Sequence, residues 1–277
     1  MSSMVINTNV ASLTAQRHLA ASRADMEQAM ERLSSGKRIN SAMDDAAGLT
    51  IAHSLDSKIA SLSQAVRNAN DGIALVNLAE GALDEVSVML TRMKELATQA
   101  RNGTYTATDL DALDLEYQAL EAGIDDIIEK TDFNGTSLLN SAGGTIVFQV
   151  GDTSTDTVTL TQSDMDIDAL GTTAVLNTTD LQDATNAGTA LGILDEAIAE
   201  VDTFRATLGS VANRMEHAAN NLMSRVEHQS AARSRIQDAD YAVESANLAK
   251  AQVLQQAGTA MLAQANASTA NILSLLK

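Results

Sequence analysis

The amino-acid sequence predicts a mainly α-helical fold: an elongated helical bundle in which the two chain ends form a coiled coil, with one small β-hairpin. Three observations support this fold class. The chain of 277 residues contains no Pro, which would interrupt long helices. Hydrophobic residues make up 45% of it, but with only three Tyr, three Phe and no Trp, aromatic side chains contribute little to the core. Apolar residues recur at alternating steps of three and four, the spacing of helices that pack along one stripe.

Three long segments carry this spacing most clearly. Asn-Gly pairs, which favour turns, follow the first two of them at positions 102–103 and 134–135. Sparser apolar stripes predict two terminal helices that include residues 15–33 and 248–275. These terminal segments are rich in Ala, Ser, Asn and Gln, so each alone should be only marginally helical in water. The three long segments are residues 55–100, 110–127 and about 191–236.

One region has a different pattern. Residues 145–150 and 157–161 are rich in Thr, Val and Ile and predict two strands, which Gly151 and the polar residues after it would connect. An isolated hairpin is not stable in water, so this one must pack on the helices. The Asp-, Thr- and Gly-rich segment that follows, to about Gly188, is predicted to be a loop.

Charge is unevenly distributed along the chain. The formal net charge is −18, and residues 105–170 hold 14 acidic residues against one basic residue, Lys130. Residues 1–43 and 223–277 are close to neutral, with five basic residues each against three and four acidic ones. One interpretation is an ordinary solvated acidic face; the other is a molecule whose neutral ends associate while its acidic middle faces solvent. The strongly acidic net charge disfavours nucleic acid and anionic membranes as partners.

Motifs for catalysis, cofactors or metals are weak or incomplete. The absence of Cys excludes disulfides and thiol chemistry, and no phosphate-binding or dinucleotide motif is present. Asp164, Asp166 and Asp168 resemble the start of a calcium loop, but Ala169 and Val175 replace the Gly and Glu that such a loop needs. We predict no enzyme activity, no cofactor and no metal site. Without a long apolar run or an N-terminal apolar core, we also expect neither membrane insertion nor a secretory signal.

Several long motifs lie towards the two ends of the chain. They are Leu33-Ser-Ser-Gly-Lys-Arg-Ile-Asn-Ser-Ala-Met-Asp-Asp-Ala-Ala-Gly-Leu49, Phe133-Asn-Gly-Thr136, Ser234-Arg-Ile-Gln-Asp-Ala-Asp-Tyr241 and Gln255-Gln-Ala-Gly-Thr-Ala-Met-Leu-Ala-Gln-Ala-Asn266. These motifs resemble those of bacterial flagellins and stand in the same order. The resemblance covers about residues 4–140 and 190–277.

This resemblance implies a structural subunit that self-assembles into the bacterial flagellar filament. It implies that residues 1–40 and 236–277 form a terminal coiled coil in the inner core of the filament. Residues 41–142 and 189–235 would form a long-helix outer bundle. Residues 143–188 would supply the β-hairpin and a short loop in place of the variable outer domain that many flagellins carry.

The resemblance also implies partners and a location. The partners are other copies of the chain, a flagellar export chaperone with its secretion apparatus, the filament cap and junction proteins, and a flagellin-sensing Toll-like receptor. The subunit would be exported unfolded and act in the extracellular flagellum. The receptor contact would involve Arg92, Leu96 and Glu116, although Thr91 stands where immunogenic members commonly have Gln.

Several residues of the motifs are implied in self-assembly, and physical chemistry assigns some of them local tasks. Gly36 is predicted to end the first helix, and Asp44 and Asp45 to cap the next one. Gly258, among Ala residues, is predicted to allow close helix approach. The implied self-assembly residues are Leu33, Gly36, Arg38, Asn40, Asp44, Asp45, Leu254, Gly258, Met261, Leu262, Ile272 and Leu275.

Two other functions fit parts of the same pattern. A hook–filament junction protein shares the terminal motifs, although the near-complete C-terminal match disfavours it. A cytoplasmic coiled-coil signalling bundle would share the Ala- and Gln-rich heptads, but it would form stable dimers or trimers and no long polymers.

Overall fold

A computed structural model of the chain describes residues 8–140, 144–171 and 176–275, with side chains described through residue 268. Five α-helices account for most of the described residues, and short strands and one 3-10 turn connect α3 to α4. In chain order the elements are α1 (Val10–Ser35), α2 (Ala46–Ala100), α3 (Ala107–Lys130), β1 (Asp132–Phe133), β2 (Thr136–Ser137), β3 (Thr145–Gln149), β4 (Thr157–Thr161), the 3-10 turn (Leu176–Thr178), α4 (Ala184–Gln237) and α5 (Tyr241–Leu275).

The predicted mainly α-helical fold with a β-hairpin is confirmed. The hairpin is antiparallel, with Thr145 opposite Thr161 and Gln149 opposite Thr157. The two chain ends also pack together as predicted, through α1 and α5.

Two structural details differ from the sequence predictions. The structure adds a second, two-residue pairing between β1 and β2, because Asn134 and Gly135 both adopt positive φ and form a tight turn there. Helix α4 begins at Ala184, before the predicted position near residue 191. The Asp183 side chain accepts the backbone N–H groups of Thr185 and Asn186 at 2.8 and 2.7 Å and so caps the helix earlier.

The chain divides into two compact units. Unit 1 comprises Met1–Ser57 and His228–Lys277, and unit 2 comprises Lys58–Glu227. Helices α2 and α4 contribute residues to both units. Unit 1 therefore contains α1, α5 and one end each of α2 and α4.

Unit 2 holds the main apolar core. Side chains from α2, α3 and α4 meet the inward face of the hairpin there, and buried Leu, Ile, Val and Met residues dominate the cluster. Gly72 marks a close approach: a Cβ at this position would lie 2.5 Å from Met215 Sδ on α4 and 3.0 Å from Phe148 Cδ1 on β3. Ion pairs between α2 and α4, Arg205 with Glu80 at 2.8 Å among them, lie beside this core.

The division into units coincides with a division of charge. Unit 1 holds nine Lys and Arg residues and nine Asp and Glu residues, so its formal net charge is zero. Unit 2 holds the other nine basic residues and 27 acidic residues, a net charge of −18. Two copies of the chain can therefore approach through unit 1 without net like-charge repulsion. The unit 2 parts of two copies, in contrast, repel each other.

Candidate self-assembly surface

Helices α1 and α5 of unit 1 pack closely along much of α1. The Asn9 side chain caps α1 by accepting the N–H of Ser12 at 3.0 Å, and its amide nitrogen donates to the backbone oxygen of Ala265 on α5 at 3.0 Å. A Cβ at Gly258 would lie 3.3 Å from Leu19 Cδ1, so the close approach predicted at Gly258 is present in the structure. The missing side chain at Gly258 therefore leaves room for Leu19 of the other helix.

A groove of about 840 Å³ runs along this helix pair. Its lining is mostly apolar, and residues that line it, Leu254 and Met261 among them, are exposed to solvent. The α5 side of the groove carries no charge, because the sequence from residue 251 to residue 275 contains no Lys, Arg, His, Asp or Glu. The groove is lined by residues that include Val10, Thr14, His18, Leu254, Gly258 and Met261.

The chain leaves α1 at a tight junction. Gly36 has a φ of 70° and its N–H donates to the backbone oxygen of Arg32, so it ends α1 as predicted. The junction is joined to the end of α4 through backbone bonds: Arg38 N–H donates to Gln237 O at 2.6 Å, and Ala239 N–H donates to Gly36 O at 2.9 Å. The Arg38 guanidinium also donates to the backbone oxygen of Ile236 at 2.6 Å.

Asp44 and Asp45 have different tasks. Asp45 caps α2 as predicted, because its Oδ1 accepts the N–H of Gly48 at 2.9 Å. Asp44 does not cap that helix: its Oδ2 accepts the backbone N–H groups of Asn40 and Ser41 at 3.1 and 3.0 Å and so closes the loop before it. The reason is position, since Asp44 lies two residues before the first helical residue. These two backbone bonds, with a smaller contribution from Gln28, lower the pKa of the Asp44 carboxyl below its usual value.

Asp44→Ala is expected to lower the free energy of unfolding of unit 1 by about 1 kcal/mol at pH 7, because two loop N–H groups lose their acceptor. Since the folded-state pKa of Asp44 is depressed, its contribution is present above the unfolded-state pKa and is lost as the pH falls through the folded-state value. Thermal unfolding from pH 7 down to pH 2.5 should therefore show the stabilities of the wild-type chain and D44A converging. Glu27→Ala, on the exposed surface of α1, is the matched control; a constant D44A deficit at every pH would contradict this assignment.

An ion-pair network ties α1 to the start of α5. The Arg32 guanidinium donates to Glu244 Oε1 at 3.1 Å, and its second terminal nitrogen lies 3.8 Å from Asp44 Oδ1. The Glu244 carboxylate is largely withdrawn from solvent and belongs to the first turn of α5, where negative charge is favourable. The Tyr241 hydroxyl adds a hydrogen bond to the backbone oxygen of Leu33 at 2.8 Å.

The sequence did not reveal this network, because 212 residues separate Arg32 from Glu244. The remaining predicted self-assembly residues have varied environments. Leu33 and Leu262 are half-buried, whereas Ile272 and Leu275 belong to α5 but their side chains lie outside the described residues.

The three residues implied in receptor contact lie in unit 2. Arg92 donates to Glu116 Oε1 at 2.8 Å and to Glu95 Oε2 at 3.0 Å, and these bonds, the one to Glu116 first, raise the pKa of the guanidinium. Leu96 is 1% exposed and packs in the core of unit 2. A partner could therefore reach Arg92 and Glu116 in this conformation, but not Leu96.

Within the described ranges, no helix is both long and apolar enough to span a membrane. Over the same residues, no group of three or more His, Asp or Glu side chains is placed to hold a metal ion. The Asp164–Asp168 segment instead makes local bonds, such as that from the Asp166 backbone N–H to Asp164 Oδ1 at 3.3 Å.

Comparison with known proteins identifies the family. The family profile described as bacterial flagellin N-terminal helical region matches residues 6–143, and that of the C-terminal helical region matches residues 191–276. Flagellin of Halalkalibacterium halodurans is 42% identical, over 99% of this chain and 100% of that protein. Flagellin of Bacillus subtilis is 41% identical over the same shares. A crystal structure of Bacillus cereus flagellin matches 56% of this chain and 88% of its own, with 43% identity and a TM-score of 0.51. The chain thus belongs to the bacterial flagellin family.

Proposed function

We propose that this chain is the structural subunit that self-assembles into the bacterial flagellar filament. The observation that carries the proposal is the charge-neutral unit 1, which presents an open apolar groove between α1 and α5. Such a groove is stabilised when another apolar surface covers it. A contact in which one surface of a copy meets a different surface of the next is heterologous and, when the rotation does not close, gives an open helical polymer.

The proposal assigns the two ends of the chain to the inner core of the polymer. Residues 1–40 and 236–277 form the inner core, and residues 41–142 and 189–235 form the outer bundle, with the 143–188 segment attached to it. Charge supports this assignment, because the apolar groove belongs to the neutral unit and the whole formal charge of −18 belongs to the other. An acidic outer layer is solvated and repels neighbouring filaments.

Filament assembly outside the cell requires further partners, which we include in the proposal. An export chaperone and the flagellar secretion apparatus deliver the chain, and cap and junction proteins position it in the extracellular flagellum. A flagellin-sensing Toll-like receptor would contact the surface around Arg92 and Glu116, with Leu96 beneath it. The role of the chain itself is structural and not catalytic.

The alternatives are less well supported. The curated relatives named flagellin match over their whole length, which favours a filament subunit over a hook–filament junction protein. A coiled-coil signalling bundle would bury its apolar stripe in a closed dimer or trimer, and its size would stop growing there.

Purified chain at pH 8, seeded with filament fragments or salted out, is expected to form pelletable filaments that electron microscopy can show. Leu254→Gln places a polar amide in the groove and should raise the critical concentration about tenfold. Leu115→Gln, the same substitution at an exposed position of α3 in unit 2, should polymerise like the wild-type chain. Persistent monomer or a closed dimer from the seeded wild-type chain would contradict the filament proposal. Equal critical concentrations for the wild-type chain, L254Q and L115Q would show that the groove is not part of the contact between copies.

A further inference from the structure

The α1–α5 groove is lined by one histidine. His18 lines the groove from α1 and is exposed to solvent. Opposite it, α5 offers Leu254, Gly258 and Met261, which carry neither charge nor a strong acceptor for the imidazole. Among side chains, only His ordinarily changes its charge between about pH 5 and pH 8.

The charged groups around His18 do not compensate a positive imidazole. On α1, Arg17 and Arg23 are basic neighbours in sequence, and Asp25 is the other titratable residue that lines the groove. Asp25 is seven residues along α1, which corresponds to about 10 Å, too far for an ion pair. On α5, the nearest charged residue is Lys250, in the adjoining polar pocket. A second copy that approaches with unit 1 is also neutral overall.

We propose that His18 makes self-assembly through the α1–α5 groove sensitive to pH, so that its protonation weakens the binding of a second copy of this chain. The inference rests on the proposed function and adds a regulation to it. The groove fits a second copy of the chain, because unit 1 has zero net charge and α5 is uncharged from residue 251 to residue 275. A strongly charged partner would gain nothing from such a lining.

The sign of the effect follows from burial. When a second copy covers the groove, the His18 imidazole leaves water for an apolar environment, which disfavours its charged form. The polymer therefore binds fewer protons than the monomer, and assembly weakens as the pH falls. Because assembly then requires the release of a bound proton wherever the imidazole is charged, we expect the critical concentration to rise severalfold from pH 8 to pH 5.

Acidic residues of unit 2 respond to pH in the opposite direction. Burial, with repulsion from neighbouring acids, raises the pKa values of Glu121 and Asp125. Protonation of such groups reduces the charge of −18 and with it the repulsion between copies, which strengthens association in acid. Protonation of these two carboxyl groups therefore does not cause a critical concentration that rises in acid.

The test measures the critical concentration of the full-length chain, seeded at fixed salt, between pH 5 and pH 8. In His18→Gln the rise in acid should disappear, while His18→Lys should assemble poorly at every pH. His228→Gln, which changes an exposed histidine of unit 1 away from the groove, is the matched control and should keep the wild-type rise. Far-UV circular dichroism checks that each variant is folded.

The outcomes separate the inference from the proposed function. If the wild-type chain and H18Q polymerise with the same pH dependence, the inference is overturned while the filament function stands. Loss of the acid effect in H228Q would overturn it equally. If the wild-type chain forms no polymer even at pH 8, the proposed function fails and the inference with it.

Discussion

Replacing Leu90 with Ala is expected to lower the free energy of unfolding of unit 2 by about 3 kcal/mol. Leu90 is 0% exposed and lies in the α2 stripe that forms the main apolar core with residues of α3 and α4. The substitution removes three buried carbons and leaves a cavity that rigid helices cannot fill, and such changes cost about 2–5 kcal/mol. Chemical denaturation of the monomer, followed by circular dichroism, measures the difference.

The matched control is Leu115→Ala on α3, which deletes the same atoms at a side chain that is 71% exposed. It should change stability by less than about 0.5 kcal/mol. Amide hydrogen exchange should show faster opening of α2 and α3 in L90A. Equal losses in the two variants would mean that Leu90 does not belong to a cooperative core.

Helical periodicity predicted the long helices because they pack along apolar stripes, but it did not predict where they begin. The apolar spacing of α2 begins near Leu55, whereas the helix starts at Ala46. Its first residues are mostly small, so their helical state depends on the Asp45 cap and not on an apolar pattern. Helix α4 also begins at a cap, because Asp183 starts it within a segment that the sequence predicts to be a loop.

The candidate surface was predictable where its chemistry is local. Gly36 and Asp45 act within a few residues of their own positions, so the motif that contains them indicated their tasks. Asp44 was misassigned because an Asp before a helix can bond either to the helix or back to the loop, and only the backbone path decides. The groove and the Arg32–Glu244 pair require both chain ends to be placed together, which no sequence window contains.

The two structural units separate neutral from acidic residues more completely than sequence windows do. Sequence windows indicated near-neutral ends and an acidic middle, but any window boundary is arbitrary. The structural boundary falls inside α2 and α4, at positions that no composition change marks. Only with that boundary does the neutrality of unit 1 become complete, which is the basis for its proposed contact with other copies.

Replacing Arg32 with Met is expected to cost unit 1 about 1.5–3 kcal/mol, because the Glu244 carboxylate loses its charged hydrogen-bond donor. Glu244 is 6% exposed, so water cannot fully replace the lost bond at 3.1 Å. The first turn of α5 should then open, since solvation of Glu244 requires its withdrawal from α1. Hydrogen exchange at the start of α5, together with the thermal midpoint of the monomer, measures this loss.

The double variant Arg32→Met with Glu244→Gln tests the cause of the loss. If the cost comes from an uncompensated buried charge, neutralising Glu244 should restore most of the stability, because two buried partners removed together cost far less than one. Arg23→Met, at an exposed position of α1, should have little effect and excludes a general consequence of losing a positive charge. A double variant as unstable as R32M alone would contradict the ion-pair account. Polymerisation of the rescued variant would show that the contact between copies does not require this ion pair.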